Sequence, residues 1–199
     1  FDISFKVDSG EMVFLMGPTG AGKSTVLKAI YRAINIDSGK IIIDGENIAL
    51  MSKYKIPNIR QKIGMIFQDF KLLNDRTVLE NVALPLRISG YSSSEIYDRV
   101  EDTLSKVGLS NLYSSYPLEL SGGEQQRVCI ARALVKSPKI ILADEPTGNL
   151  DPNVSDEILD LLDIFTDTGS AVLMSTHNFP LIKPRKKRFI EISNGRIVD

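Results

Sequence analysis

The sequence has no second cysteine, no excess charge of either sign and no long apolar run, and each lack removes a class of protein. Cys129 is the single cysteine, so no disulfide can staple the chain, which fits a reducing compartment. The 24 basic and 25 acidic residues leave a formal net charge of −1, so no global field draws the chain to nucleic acid. No apolar stretch reaches the roughly 18 residues of a membrane-spanning helix, and the first residues carry no signal-peptide pattern. Neither repeats nor low-complexity segments occur, and His177 is the only histidine. What remains is a chain of 199 residues, long enough for one α/β domain with a full core. It is expected in the cytoplasm, where contact with a membrane would be peripheral. Because it opens on Phe1 rather than Met, further residues are expected before it.

Against these lacks stands one dense motif. Gly17-Pro18-Thr19-Gly20-Ala21-Gly22-Lys23-Ser24 fits G-x-x-x-x-G-K-[ST] and follows the apolar run Val13 to Met16. The placement predicts a strand entering the loop and a helix leaving it from Ser24-Thr25, so that backbone N–H groups and the positive helix end converge on phosphate oxygens. Glycines let the backbone wrap an anion. Lys23 would reach the β- and γ-phosphates, and Ser24 would offer its hydroxyl to Mg2+.

Elsewhere the hydrophobic period sorts the chain into elements. Ile3, Phe5 and Val7 alternate as in a strand, and Ile41-Ile42-Ile43 and Ile63 to Phe67 read as two more. From about Thr77 the period turns helical. Thr77-Val78-Leu79-Glu80 and Ser92-Ser93-Ser94-Glu95 are capping boxes, and Ile96, Val100, Leu104 and Val107 line one helix face that Gly108 closes. Ile140 to Ala143 and Ala171 to Ser175 are continuous apolar runs, as in strands covered on both faces, with Val154 to Phe165 as the helix between them. Phe189 to Val198, broken at Asn194-Gly195, reads as a terminal hairpin.

Four apolar runs thus end in residues suited to nucleotide chemistry: Gly17, Gln68, Asp144 and His177. Open α/β sheets bind ligands beyond the carboxyl ends of their strands, so these separate segments are expected to meet at one phosphate. Asp144 is suited to hold Mg2+ opposite Ser24, Glu145 to polarise an attacking water, and Gln68 to orient that water or touch the metal. His177 would hydrogen-bond the γ-phosphate or hold the water in line. A second segment, Leu120-Ser121-Gly122-Gly123-Glu124-Gln125-Gln126-Arg127, combines a capping box with two glycines in the first turn. Glycine costs roughly 1 kcal/mol relative to alanine in a helix, so bare backbone here is expected to serve close approach to an anion.

In order and spacing, Gly17 to Thr25, Gln68, Leu120 to Gln126, Ile140 to Glu145, Asn149-Leu150-Asp151 and His177 resemble the Walker A, Q-loop, signature, Walker B, D-loop and H-loop of the ATP-binding cassette (ABC) ATPases. The resemblance spans essentially the whole chain. It implies a P-loop NTPase fold of the ABC type: a mainly parallel core sheet, an antiparallel β-subdomain and a helical insertion. Residues 1–75 and 136–199 would form the core with its β-subdomain, and residues 76–135 the helical subdomain ending in the signature helix. It also implies ATP and Mg2+ as cofactors and a head-to-tail homodimer. In that dimer each ATP is held by one phosphate loop and, in trans, by Ser121, Gly122, Gly123 and Glu124 of the other copy. Glu145 would be the base, His177 the γ-phosphate contact, Ser24, Gln68 and Asp144 the metal surround, and Asp151 a residue of the dimer seam.

Ile63 to Asp69, Leu72-Leu73, Asp75 to Val78, Asn81-Val82-Ala83 and Pro85-Leu86 look most like a bacterial cell-division branch of that family. Lipoprotein-releasing and macrolide-efflux branches share many of these positions. The branch implies a site on the cytoplasmic face of the cell membrane and an integral membrane partner seated near Phe70 to Leu86. Asn178 departs from the usual acid after the histidine, and Pro180 and Pro184 interrupt the helix expected there. Lys183, Arg185, Lys186, Lys187 and Arg188 are expected to form a solvated face, with contact to anionic lipid as the alternative. Tyr113 and Tyr116 suit either packing or a partner contact. An ATP-sensing scaffold would be favoured by loss of Glu145, His177 or the glycines, and all are present.

Overall fold

Five parallel strands form the floor of the molecule; four are apolar along nearly their whole length and must be covered on both faces, while the fifth, Arg188–Ser193, alternates and exposes Arg188 and Glu191. The computed structural model describes residues 2–198; positions 1 and 199, which the expected domain bounds include, lie outside them. Strand β1 is Met12–Met16, followed by helix α1, Lys23–Ile30. A two-residue pair, β2 (Ile42–Ile43) and β3 (Glu46–Asn47), makes a small antiparallel sheet. Helix α2 (Ile56–Gln61) and strand β4 (Ile63–Ile66) come next, then helices α3 (Val78–Ile88), α4 (Ser93–Lys106) and α5 (Gly122–Leu134). Strand β5 (Ile140–Asp144), helix α6 (Pro152–Asp167), strand β6 (Ala171–Thr176) and the short helix α7 (Phe179–Ile182) lead into the hairpin of β7 (Arg188–Ser193) and β8 (Arg196–Val198).

The large sheet runs β4-β5-β6-β1-β7-β8, parallel except for the last hairpin. Successive residues feed opposite cores. Phe14, Ile141, Ala143, Val172 and Met174 pack with Val128, Ile130, Ile158 and Leu162 of α5 and α6. Val13, Leu15, Leu142 and Leu173 pack with Leu27 of α1 and with Ile43, Ile48 and Ile59. Burying one such aliphatic side chain is worth about 1.5–3 kcal/mol, so the sheet interior is the main source of stability. The helices start where local chemistry stops the chain: capping boxes at Thr77, Ser92 and Ser121 satisfy the first turns of α3, α4 and α5.

One expectation needs correction. Residues 3–7 alternate in burial and pack against the α1 side of the sheet, but they form no strand. A strand needs a ladder as well as a face, and among the described residues the only bridge in this segment joins Asp2 to Arg196. The basic run from Lys183 to Arg188 is largely exposed, as expected of a solvated face, but three of its five charges are paired within the chain. Arg185 donates to Asp156 and Asp160, Lys187 pairs with Asp163 at 2.7 Å, and Arg188 pairs with Glu11 at 3.1 Å. Carboxylates spaced along one face of α6 therefore pair with Arg185 and Lys187 and hold the segment against that helix, while Lys183 and Lys186 stay exposed. Pro180 and Pro184 do shorten the helix after His177: α7 is four residues long and gives way to a 3-10 turn.

Candidate active site at the strand ends

Strands β4, β5, β6 and β1 are neighbours in one parallel sheet, so Gln68, Asp144-Glu145, His177 and the Gly17 loop emerge side by side at its carboxyl edge. Gly17 opens the loop at φ 145°, and a Cβ there would lie 2.2 Å from the Ile192 carbonyl, so no other residue fits. Pro18, Thr19 and Gly20 are exposed, while Ala21 and Lys23 beneath them are buried. Gly22 caps α1 in the left-handed region, which turns Lys23, Ser24 and Thr25 into the first helical turn. The Lys23 ammonium donates to the carbonyls of Gly17 at 2.8 Å and Pro18 at 3.1 Å. It lies 3.6 Å from Glu145 Oε1, which keeps one positive charge inside the curve of the loop.

Opposite the loop, Ser24 Oγ donates to Asp144 Oδ1 at 2.9 Å, and Ser175 Oγ donates to the same oxygen at 2.7 Å. Glu145 is a non-glycine residue at φ 45°, a conformation that costs about 1–3 kcal/mol and persists only where neighbours enforce it. Its N–H reaches the Ser175 carbonyl at 3.2 Å and the Ser175 hydroxyl at 3.0 Å, and its own carbonyl accepts from Gly148 at 3.1 Å. The turn directs the Glu145 carboxylate between two groups: Lys23 on one side and His177 Nδ1 at 3.1 Å on the other. Gln68 approaches from β4, with its Nε2 3.6 Å from a Cβ built at Gly148, yet it makes no hydrogen bond to Ser24 or Asp144. Ser175 carries no sequence signal beyond one hydroxyl in an apolar strand two residues before His177, and it was not expected among the site residues.

After Gln68 the backbone takes two left-handed residues in succession, Phe70 at φ 59° and Lys71 at φ 53°. Helix α5 enforces them: Arg132 donates to Phe70 O at 2.7 Å and to Lys71 O at 2.6 Å, and Cys129 Sγ donates to Phe70 O at 3.0 Å. Burial pushes the Cys129 thiol up to about 12, so it stays protonated as a donor at neutral pH. Buried Asn81 ties the following loop to α3 through the carbonyls of Leu73, Arg76 and Thr77.

The α5 start lies beside a different part of the chain. Ser121 and Glu124 complete their capping box within the chain, and the Ser121 hydroxyl holds the Glu124 carboxyl below its usual range. The N–H groups of Gly122 and Gly123 stay among the orphan donors of the helix end. A Cβ at Gly122 would lie 3.5 Å from Leu150 and one at Gly123 only 2.8 Å from Val154 Cγ1. Close packing on α6 is therefore one reason for glycine at 123, beside the close approach to an anion expected from the sequence. Asp151, between these two neighbours, caps α6 by accepting from Asn153 and Val154 N–H at 3.1 Å each. The helix end and Asp151 thus share one edge of the molecule. Alanine favours a helix by up to about 1 kcal/mol over glycine, so Gly123→Ala tests which effect wins. It is expected to lower stability by about 1 kcal/mol in chemical unfolding, and Val154→Ala in the same chain should recover it. A more stable Gly123→Ala variant would contradict the packing reading.

A surface cavity of about 410 Å³ lies between α4, α5 and α6, reaching Lys139 and Ser170 at the amino ends of β5 and β6, and it shares no residue with this site. No described helix is long and apolar enough to cross a membrane.

Comparison with known proteins agrees with this geometry. The family model described as "ABC transporter" matches residues 1–148. The Cell division ATP-binding protein FtsE of Escherichia coli K12 is 49% identical over 195 residues, covering 98% of this chain and 88% of the relative. FtsE of Streptococcus pneumoniae D39 is 45% identical over 196 residues, covering 98% and 85%. Among solved structures, the dimeric ATP-binding cassette MJ0796, in a post-hydrolysis state bound to ADP and Pi, superposes with a TM-score of 0.88 at 36% identity, covering 99% of this chain and 87% of that one. A phosphate loop, a carboxylate pair and a histidine at adjacent strand ends, in a chain this similar to those relatives, identify an ATP-hydrolysing subunit that belongs to the ABC transporter family.

Proposed function

We propose that this ATPase works as FtsE does by name, in bacterial cell division, and that two copies closing on ATP move an integral membrane partner of the FtsX kind. The observation that carries the reading is the Glu145 carboxylate held between Lys23 and His177. Lys23 and the loop N–H groups bind the β- and γ-phosphates. A water in line with the γ-phosphate gives its proton to Glu145 as its oxygen attacks phosphorus and the bond to the β-phosphate oxygen breaks. His177 contacts the γ-phosphate, and Gln68 orients the water. Ser24, Asp144 and the Gln68 amide supply oxygen donors only, which suits Mg2+: it takes one or two protein oxygens and leaves its other positions to water and phosphate. When bound, Mg2+ would neutralise charge developing on the phosphates.

Ser121, Gly122, Gly123 and Glu124 would meet the ATP of a second copy, with Asp151 at the seam. Their shared edge supports that reading, because a two-fold axis there uses the same surface twice. Residues 76–135 would act as the helical subdomain and the remainder as the core. The membrane partner would seat near Phe70 to Leu86, where Leu73 is exposed, as are Tyr113 and Tyr116. Closure on ATP would pull this groove inward and hydrolysis would release it. The chain would work at the cytoplasmic face of the cell membrane, held there by that partner, with weak contact of the Lys183 to Arg188 segment with anionic lipid as an addition. Pull-down from detergent-solubilised native membranes tests the reading. Recovery of an FtsX-like four-span protein is expected, whereas a permease with solute-binding components would favour a lipoprotein-releasing or efflux role.

A further inference from the structure

Ser175 is fully buried in the sheet between β5 and β1, paired in register with Asp144 and Leu15. A hydroxyl at such a place must find partners, and this one finds two in the site itself. Its proton goes to Asp144 Oδ1 at 2.7 Å, and its oxygen accepts the Glu145 N–H at 3.0 Å. We propose that Ser175 is a positioning residue for ATP hydrolysis, which fixes the Asp144 carboxylate against Ser24 and holds Glu145 in its left-handed turn.

Asp144 Oδ1 accepts from two hydroxyls, Ser24 Oγ on α1 and Ser175 Oγ on β6. Of the two, only Ser175 sits on a strand buried along its whole length, so it is the fixed reference of the pair. With Oδ1 anchored to β6, the carboxylate cannot rotate away when the Ser24 oxygen turns its lone pairs to a cation. The same hydroxyl presses on the next residue. The Glu145 N–H is shared between the Ser175 carbonyl and hydroxyl, so the turn that aims the base is tied to the residue that aims the metal ligand. Ser175 touches no reacting atom; it acts through its two neighbours.

This inference rests on the assignment of Asp144 to Mg2+, so the test carries a variant for each. Binding of a fluorescent ATP analogue is measured in EDTA and across a Mg2+ titration, alongside steady-state hydrolysis and thermal unfolding. Ser175→Ala leaves Glu145 N–H its carbonyl partner, so folding and metal-free binding are expected to match the natural chain. The Mg2+ concentration for half-maximal effect should rise roughly tenfold and kcat fall roughly tenfold, the equivalent of one lost charge-assisted hydrogen bond. Ser175→Thr, which keeps the hydroxyl, should recover both. Unchanged Mg2+ response and kcat in Ser175→Ala, while Asp144→Asn loses the Mg2+ response, would overturn the role of Ser175 alone. A Mg2+ response in Asp144→Asn equal to that of the natural chain would overturn the underlying assignment with it. Equal loss of binding in EDTA and in Mg2+ would mark Ser175 as merely structural and also overturn the proposal.

Discussion

Glu145→Gln is expected to lower ATP turnover about a thousandfold while leaving ATP affinity within a few fold of the natural chain. The amide keeps the shape of the carboxylate and can still meet His177 Nδ1, which lies 3.1 Å from Glu145 Oε2. Glutamine also accepts the φ of 45° no worse than glutamate, so the turn at Gly148 should survive. What is lost is the ability to take a proton from water. ATP that cannot be hydrolysed keeps both copies engaged, so the variant should sediment as a dimer with Mg2+-ATP and as a monomer with ADP. Phosphate-release kinetics and sedimentation velocity measure the two effects separately. Turnover near that of the natural chain would show that another group is the base.

Lys23→Ala is expected to act earlier, on binding. The Lys23 side chain is 5% exposed, and its ammonium is the charge nearest the curve of the loop. A charge-assisted hydrogen bond to phosphate is worth about 1.5–3 kcal/mol, so ATP affinity should fall roughly ten- to a hundredfold. Two further effects follow from geometry. The carbonyls of Gly17 and Pro18 lose their shared donor, which loosens the loop, and Glu145 loses its neighbour at 3.6 Å. Isothermal titration with a non-hydrolysable ATP analogue reads the loss directly. Affinity equal to that of the natural chain would contradict the assignment of the loop.

The parallel strands were legible because burial on two faces leaves an unbroken apolar run, as in Ile140 to Ala143 and Ala171 to Met174. Capping boxes were equally plain, since the two partners sit three residues apart and both bonds are local. What failed was whatever depended on distant neighbours. The alternation of Ile3, Phe5 and Val7 revealed a buried face but not the lack of a ladder partner. The basic run near the C-terminus showed its charge, while the Asp156, Asp160 and Asp163 that pair with its Arg185 and Lys187 stand more than twenty residues earlier on α6. Gly123 suggested an anion because glycine is costly in a helix, and its packing on Val154, a second reason for glycine that leaves the anion reading open, is visible only in three dimensions. Around the site the ingredients were legible one strand at a time. The Ser175 link between Asp144 and Glu145 was not, since a serine in a strand looks the same whether its hydroxyl is idle or anchoring a carboxylate.

The central claim is that adjacent strand ends of one copy grip a triphosphate which the α5 end of a second copy completes. A crystal structure of the Glu145→Gln protein with Mg2+-ATP tests it most directly. The expected density lies against Lys23 and Ser24 of one copy and against Ser121 to Glu124 of the other, repeated twice about a two-fold axis. Nucleotide bound away from Lys23, or beside Lys23 with the partner's α5 end turned elsewhere, would contradict it.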